Sequence, residues 1–465
     1  MISKILNAVK PYKNEQNNLN TVQQTTSNNN QDHFYFSLTQ SGNYSTSPSK
    51  RNVAFISNSY YHFYYLAQAL RRRNWDVITI SLEDPKSLSS IYYHGEDINL
   101  YSPDPIEAKS KQLAFFQAAK GKYNLVHSAN DFFLSFIQDN YGHEDPEDII
   151  DWHSLGKKVA YTISGCMSGT LPSSVDKWSR MKNNHSVCDT CVWQDNEIVC
   201  SDPKSQSWID KIGRHVDLTF AEALPAMDHI ATKNVIREPT TMCLDPVVWH
   251  PELKVPNEHV LPRKDKEILV YHSVGNYESR TTDTGKNIKG SPAIITAIEK
   301  LKSEGHNINL IFKTQVANRE VRFIQVQADI IVDQLNYGRY GATAREGMML
   351  GKPVICYIND SEPDDSLKLQ SIKECPLISS TETSIYSTLK NLIINEDMRI
   401  KIGNQSRAYA LKWHSADACA ERYEKIYDQL MNNQQVTHPE RWSYYETTQI
   451  DVGEIPAAIT PPILT

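Results

Sequence analysis

The chain has 465 residues, of which 40% are hydrophobic and 22% charged, and it carries a formal net charge of −7. This length exceeds what one hydrophobic core usually serves, so two α/β domains are expected. The acidic balance argues against a nucleic-acid-binding protein, which would carry a basic surplus, and the absence of a long apolar run predicts no membrane span. Because residues 1–13 are too short and too polar for a secretory signal, we expect a cytoplasmic protein with reduced cysteines.

The two ends of the chain differ in composition from the rest. Residues 14–50 are rich in Asn, Gln, Ser and Thr, so a disordered tail is predicted over residues 1–50, and a second, proline-containing tail over residues 438–465. Between them, short apolar runs alternate with amphipathic stretches, which predicts parallel-sheet α/β structure. A helix is predicted at 62–73, and strands at 52–57, 76–81, 124–127, 158–163, 216–220 and 234–237.

A proline-rich break at 239–256 separates this first domain, residues 51–245, from a second at 260–412. The second domain begins with a strand at 268–273, and Ser291 and Pro292 predict the N-cap and first position of the next helix. A helix over 408–430 is predicted to close the fold, with residues 413–432 crossing back to the first domain. The predicted fold is thus α/β, with two Rossmann-like domains facing a cleft. Further strands are predicted at 309–313, 329–333 and 353–358, and a helix at 342–350 that Gly351 ends.

The segment 328–358 carries the strongest functional signal and reads ADIIVDQLNYGRYGATAREGMMLGKPVICYI. A buried strand, a glycine-bearing loop and the start of a helix follow one another. Backbone N–H groups and the helix dipole favour an anion at such a position. We therefore predict a diphosphate site in which Tyr340, Gly341, Ala342 and Thr343 provide donors, with Glu346 one turn further on accepting from a ribose. An ordinary strand–loop–helix with a solvated glutamate is the alternative.

This string, G-x-x-G-x-x-x-x-E-x-x-x-x-G-K-P-V-I, resembles the donor-site signature of the group 1 (family 4-like) glycosyltransferases, which have the GT-B fold. The resemblance covers residues 268–430 and extends to the first half only by topology. In that family two glutamates are spaced E-x7-E: the second contacts the nucleotide ribose and the first contacts the donor sugar. Glu346 matches the second, whereas Gly338 stands at the position of the first.

The resemblance also implies a cationic clamp on the donor diphosphate. Arg280, Lys286 and Lys289 are the matching residues, and we expect Arg280, Lys289 and Glu346 to be the catalytic set. Fixed cations would stabilise the negative charge that develops on the leaving group without a catalytic metal or cofactor. The remaining donor-binding residues are predicted at the other strand ends: Gly275, Thr314 and Gln315.

Four of the eight cysteines lie within 35 residues: Cys166, Cys188, Cys191 and Cys200. Cys188 and Cys191 form a C-x2-C knuckle, and a hairpin over residues 192–199 would return Cys200 to it. Four thiolates could bind a structural Zn²⁺ ion and fold this polar segment, although the spacing is not that of a standard zinc ribbon. A disulfide and free thiols are the alternatives.

The acceptor is expected on the first domain, where His62, His127, Asp131 and Ser164 follow predicted strands. We expect a retaining glycosyltransferase that moves a sugar from a nucleotide-diphosphate donor to a glycan, lipid-linked or protein acceptor, with no nucleic-acid partner. Two alternatives are a non-catalytic GT-B scaffold that binds sugar or nucleotide and a sugar-nucleotide epimerase. The run Arg71-Arg72-Arg73 leaves peripheral contact with an anionic membrane as a further expectation.

Overall fold

The computed structural model describes most of the chain between residues 51 and 436. All of these residues belong to one compact unit, 44–465, so the division into two domains at 239–256 stays a prediction. The predicted tails and the candidates Asp131 and Ser164 lie outside the described residues. The described ranges are 51–56, 61–87, 90, 96–129, 133–163, 165–166, 169–183, 185–194, 196–221, 234–237, 243–364, 367 and 370–436.

The first half forms a seven-stranded parallel sheet with the order β3-β2-β1-β4-β5-β6-β7. Its strands are mostly apolar and largely buried, as expected where helices cover both faces of such a sheet. The strands are β1 Asn52–Ile56, β2 Asp76–Ser81, β3 Ile98–Asn99, β4 Leu125–Ser128, β5 Lys158–Thr162, β6 Leu218–Ala221 and β7 Val235–Arg237. The strands predicted from the sequence are confirmed within one or two residues at each end.

Five α-helices accompany this sheet in the described residues. The start of the second follows the usual rules, since the Asp104 side chain accepts a hydrogen bond from the Ile106 N–H at 2.9 Å and Pro105 takes the first helical position. The helices are α1 His62–Arg72, α2 Pro105–Lys122, α3 Glu147–Ser154, α4 Pro172–Asn183 and α5 Asp202–His215.

The second half forms a four-stranded parallel sheet with the order β11-β10-β8-β9. Its strands are β8 Ile268–Val274, β9 Ile308–Thr314, β10 Ile330–Val332 and β11 Val354–Ile355. Its helices are α6 Ser291–Ser303, α7 Asn318–Gln325, α8 Ala342–Met349 and α9 Ile385–Ile394. Gly351 ends α8 in the left-handed conformation, φ 69°, as predicted.

The start of α6 differs from the prediction. Gly290, at φ 69°, is the N-cap, and Ser291 is the first helical residue. The Ser291 hydroxyl instead forms a 2.8 Å hydrogen bond with Nε2 of His272 on β8. A buried partner therefore takes the side chain that would otherwise cap the helix.

The last helical segment is two helices, α10 Glu396–His414 and α11 Ala416–Met431, rather than the single helix predicted. Ser415 lies between them in an extended conformation, and its hydroxyl accepts a hydrogen bond from the Ala418 N–H at 3.3 Å. The backbone of Leu244 pairs with this break, since its N–H bonds to His414 O and its carbonyl accepts from Ala416. The chain therefore turns here to lay α11 against α1.

The two parallel sheets with their covering helices confirm the predicted α/β fold class. The two halves contact each other directly, because Tyr61, which precedes α1, hydrogen-bonds to Glu346 on α8, and Trp178 on α4 hydrogen-bonds to Glu362, which follows β11. None of the helices in the described ranges is both long and apolar enough to cross a lipid bilayer.

Candidate functional site

The order of the second sheet reverses between β8 and β10. From β8 the chain adds β9 on one side and then returns to add β10 on the other, so these two neighbours mark the point where the strand order reverses. Ligands of open parallel sheets bind at such a point, beyond the carboxyl ends of the strands. Gly275 follows β8, Thr314 and Gln315 end and follow β9, and the loop that leads to α8 follows β10. The predicted donor residues therefore lie along one edge.

A buried carboxylate, which the sequence analysis did not assign, organises this edge. Asp333 directly follows β10 and is 0% exposed. One of its oxygens forms an ion pair with the ammonium of Lys289, and the other accepts the Gly341 N–H at 2.6 Å. The structure thus brings Lys289 and the turn before α8 together through Asp333.

The start of α8 keeps further donors beyond the one that Asp333 uses. The first N–H groups of a helix have no partner within the helix, and here they belong to Ala342 and Thr343, which follow the N-cap Gly341. The Thr343 hydroxyl lies 3.5 Å from that of Ser273 on β8. A lysine ammonium has three protons, so Lys289 retains donors after pairing once. These groups together can hold an anion larger than a carboxylate.

Glu346 is buried rather than solvated, with 4% exposure. Its carboxylate accepts hydrogen bonds from the Tyr61 hydroxyl at 2.8 Å and from the Gln325 amide at 2.6 Å. Burial is the main cause that raises the pKa of Glu346, while these two donors partly oppose the rise. Tyr61 precedes α1 of the first half, so this glutamate lies where the two halves meet.

Other predicted donor residues have different surroundings. The Tyr340 hydroxyl is buried and hydrogen-bonds to the Tyr409 hydroxyl at 2.9 Å and to His414 at 3.1 Å, so it anchors the loop to α10 rather than facing a ligand. Arg280 and Lys286 lie exposed on the loop after β8, and Thr314 and Gln315 are also exposed. Within the described residues, neither Arg280 nor Lys286 forms an ion pair. These two cations remain accessible to an anionic ligand.

Gly338, which stands at the position of the family's first glutamate, has no room for a side chain. Its φ is 95°, and a Cβ atom there would lie 2.9 Å from Cβ of Asn359 and 3.0 Å from the ring of Trp178. Trp178 belongs to α4, so an aromatic ring from the cysteine-rich part of the chain fills this space. No local sequence pattern predicts that contact, because the residues involved are far apart in the chain.

The histidines proposed for the acceptor side are core residues. His62 and His127 are both 0% exposed. His62 accepts the Cys243 N–H at 3.1 Å and bonds to Tyr423 at 3.2 Å, while His127 bonds to Tyr427 at 2.5 Å. Burial lowers the pKa of His62 to about 3 and that of His127 well below its ordinary value. His62 therefore links α1 to α11, His127 links β4 to α11, and neither ring is available to an acceptor.

The cysteine cluster does not support the zinc prediction. Cys166, Cys188, Cys191 and Cys200 all line one apolar cavity, and all are free thiols. Yet within the described residues no group of three or more His, Cys, Asp or Glu side chains is arranged to hold a metal ion. Burial raises the pKa of the Cys188 thiol to about 11. The predicted hairpin is also absent from the described part of this segment, where Val187–Thr190 is a 3-10 helix followed by turns.

The arginine run is paired within the protein. Arg72 forms an ion pair with Asp417 at 2.7 Å, and Arg73 pairs with Glu424, both on α11. Arg71 pairs with Asp97. Acidic residues of α11 and Asp97 thus pair with all three arginines of the run that was expected to contact an anionic membrane.

No family model matches the chain, and no curated protein matches it. Among solved structures it is similar to a sucrose-phosphate synthase from Thermosynechococcus elongatus, with 14% identity, 83% of this chain and 100% of that chain covered, and a TM-score of 0.49. A glycosyltransferase from Rickettsia africae shows 12% identity, coverage of 83% and 100%, and a TM-score of 0.48. The catalytic domain of starch synthase IV from Arabidopsis thaliana shows 12% identity, coverage of 82% and 99%, and a TM-score of 0.47. At these identities the similarity concerns the fold and not individual residues.

Proposed function

We propose that the sheet edge at the carboxyl ends of β8 and β10 binds the diphosphate of a nucleotide sugar and that the protein transfers this sugar to an acceptor. The observation that carries the proposal is the group formed by Lys289, Asp333 and the N-terminus of α8 at the point where the strand order reverses. A fixed ammonium beside several backbone N–H groups is an arrangement suited to phosphate oxygens.

In this proposal Asp333 orients the ammonium of Lys289 and the Gly341 N–H, and the ligand uses the remaining donors. The two exposed cations, Arg280 and Lys286, would approach from the loop after β8. When the bond between the sugar carbon and the phosphate oxygen breaks, its electron pair stays on the diphosphate. Donors held in place before the reaction stabilise that charge.

The acceptor hydroxyl oxygen would then bond to the sugar carbon and lose its proton to the departing phosphate oxygen. This same-face course, with retention of configuration and no catalytic metal, is what the resemblance to the group 1 glycosyltransferases implies. Glu346 would accept a hydrogen bond from the nucleotide ribose, the role that the resemblance implies. For this the ribose hydroxyl would replace at least one of the present donors to its carboxylate, Tyr61 or Gln325. A glycan, a lipid-linked sugar or a protein are the acceptor classes proposed.

A non-catalytic scaffold is the second candidate, and the surroundings of Gly338 favour it. In the family that the motif resembles, a glutamate at the position of Gly338 contacts the donor sugar. This chain lacks that carboxylate, and the Trp178 ring fills the space into which a side chain at position 338 would project. A protein with this site could hold a nucleotide diphosphate without transferring its sugar.

Calorimetric titration of the full chain with UDP, GDP, ADP, CMP and their sugars tests the proposal, followed by a turnover assay with the ligands that bind. We expect one nucleoside diphosphate to bind and Lys289→Ala to weaken it at least about tenfold, the loss of one charge-assisted contact. Lys302→Ala is the matched control, because Lys302 lies on the exposed side of α6 and pairs with Glu299. Binding with no turnover favours the scaffold, and product formed without any acceptor indicates an epimerase. No binding, or equal effects of the two lysine variants, would contradict the proposed site.

A further inference from the structure

We propose that Trp178 is a positioning residue for the loop between β10 and α8, reaching it from the cysteine-rich part of the first half. Its side chain is 2% exposed, and Lys182 on the same helix also reaches the second half, where it forms an ion pair with Asp360 at 2.5 Å. The indole N–H donates to Oε1 of Glu362 at 2.9 Å, and Glu362 is itself 5% exposed. The indole ring therefore lies against the second half, beside the loop between β10 and α8.

The contact is made with the loop itself and with its support. The Trp178 ring lies against Gly338, 3.0 Å from the position that a Cβ atom of residue 338 would occupy. The backbone carbonyl of Trp178 accepts a hydrogen bond from the side-chain amide of Asn359 at 2.8 Å. The Asn359 N–H in turn donates to the Gly338 carbonyl at 2.9 Å. Trp178 and Asn359 thus hold Gly338 from two sides.

A buried charge pair lies under the same ring. The guanidinium of Arg339 lies 5.1 Å from the Trp178 ring centroid and forms an ion pair with Glu362 at 2.5 Å. Arg339 also donates to the Gly338 carbonyl at 2.8 Å and to Gln370 at 2.9 Å, and Gln370 donates to the second oxygen of Glu362 at 2.6 Å. Buried ion pairs are stable only when their remaining hydrogen-bonding groups are satisfied, and Trp178 satisfies one of them.

Gly338 and Arg339 immediately precede Tyr340 and Gly341, whose N–H is held by Asp333. A residue that fixes positions 338 and 339 therefore fixes the direction from which the chain enters α8. The expected effect of Trp178 on nucleotide affinity rests on the proposed function, whereas its effect on the conformation of the loop does not. Trp178 itself is buried, so its action on a ligand would pass through the loop.

Hydrogen exchange of the full chain tests the effect on the loop without any ligand. In Trp178→Ala we expect the amides of residues 338–341 and Asn359 to exchange at least about tenfold faster, because local opening exposes them. Trp178→Phe, which keeps the ring but not the N–H, should show a smaller change. The control is Trp208→Ala: Trp208 on α5 is 5% exposed and packs on Tyr161 of the first sheet, so it removes a comparable buried ring from the same half.

The same variants are then titrated with the nucleoside diphosphate that the wild type binds. Trp178→Ala should raise its Kd about tenfold or more and Trp208→Ala should leave it within about twofold, as expected for loss of a pre-formed site. Unchanged exchange at 338–341 in Trp178→Ala, or an equal change in Trp208→Ala, would overturn the inference. If the wild type binds no nucleoside diphosphate, the proposed function fails, and exchange alone still decides the role of Trp178. Trp178→Leu replaces the alanine variant if the latter does not fold.

Discussion

The carboxylate of Asp333 contacts both the ammonium of Lys289 and the N–H of Gly341, so one buried acid positions a cation and the N-cap of α8. Lys289→Met should lower the free energy of unfolding by about 3–5 kcal/mol, because it leaves a buried carboxylate without its partner. The midpoint of urea unfolding measures this loss.

The double variant Lys289→Met with Asp333→Asn separates stability from binding. It removes both charges, while the asparagine side-chain oxygen can still accept the Gly341 N–H, so most of the lost stability should return. Nucleotide affinity should not return, because the cation is still missing. Recovery of affinity in the double variant would show that Lys289 acts only as the partner of Asp333.

Ten of the eleven described strands were predictable because each is a short apolar run between polar segments, whereas the two-residue β3 was not predicted. The predicted end of β10 at residue 333 lies one residue from its observed end at 332, so the loop that follows was placed correctly. The contacts that could not be predicted join residues that lie far apart in the chain. The hydrogen bond between Trp178 and Glu362 joins residues 184 positions apart, and no local pattern reports it. Ser291 looked like a helix cap because sequence rules do not include His272, the buried partner that the fold gives it.

The pKa of Glu346 predicts a pH-dependent effect of Glu346→Gln. Because burial raises the pKa in the folded protein above the ordinary value, stability falls as the pH rises from the ordinary pKa to the raised folded pKa, and the full cost remains at higher pH. Glu346→Gln should therefore raise the melting temperature at pH 8 relative to the wild type. The gain should shrink toward pH 4, where the wild-type side chain becomes protonated in both states. A gain of equal size at both pH values would contradict this assignment.

His62 predicts sensitivity to acid. Its folded pKa of about 3 lies below the ordinary value, so the unfolded chain takes up a proton as the pH falls below about 6.5 while the folded chain does not. This favours unfolding in acid by about 1.4 kcal/mol per pH unit for one such histidine. In His62→Gln the urea-unfolding free energy should fall less steeply between pH 6.5 and 5 by about that amount. The amide can accept from Cys243 and donate to Tyr423, and an unchanged slope would contradict the prediction.

A glutamate introduced at position 338, where the family that the motif resembles carries its first glutamate, should not fit. Gly338 combines a φ of 95° with a Cβ site only 2.9 Å from Asn359, so even Gly338→Ala requires the neighbours to move. We expect it to cost about 1–3 kcal/mol more than Gly285→Ala. Gly285 is a matched control, since its φ is 80° but nothing lies within 4 Å of its Cβ site. Equal losses in thermal or urea unfolding would show that the space beside Trp178 is not occupied.

The pairing of α11 with the arginines of the first half has a consequence for shortened forms of the protein. Arg51, Arg72 and Arg73 face Asp417, Glu424 and Asp428, so the last described helix supplies the counter-charges for a cationic edge. A chain cut before residue 416 would uncover that edge together with the aromatic core beneath it. Such a fragment should adhere to heparin and other polyanions at low salt, and polyanion binding seen with fragments would then reflect the cut rather than the biology of the intact molecule.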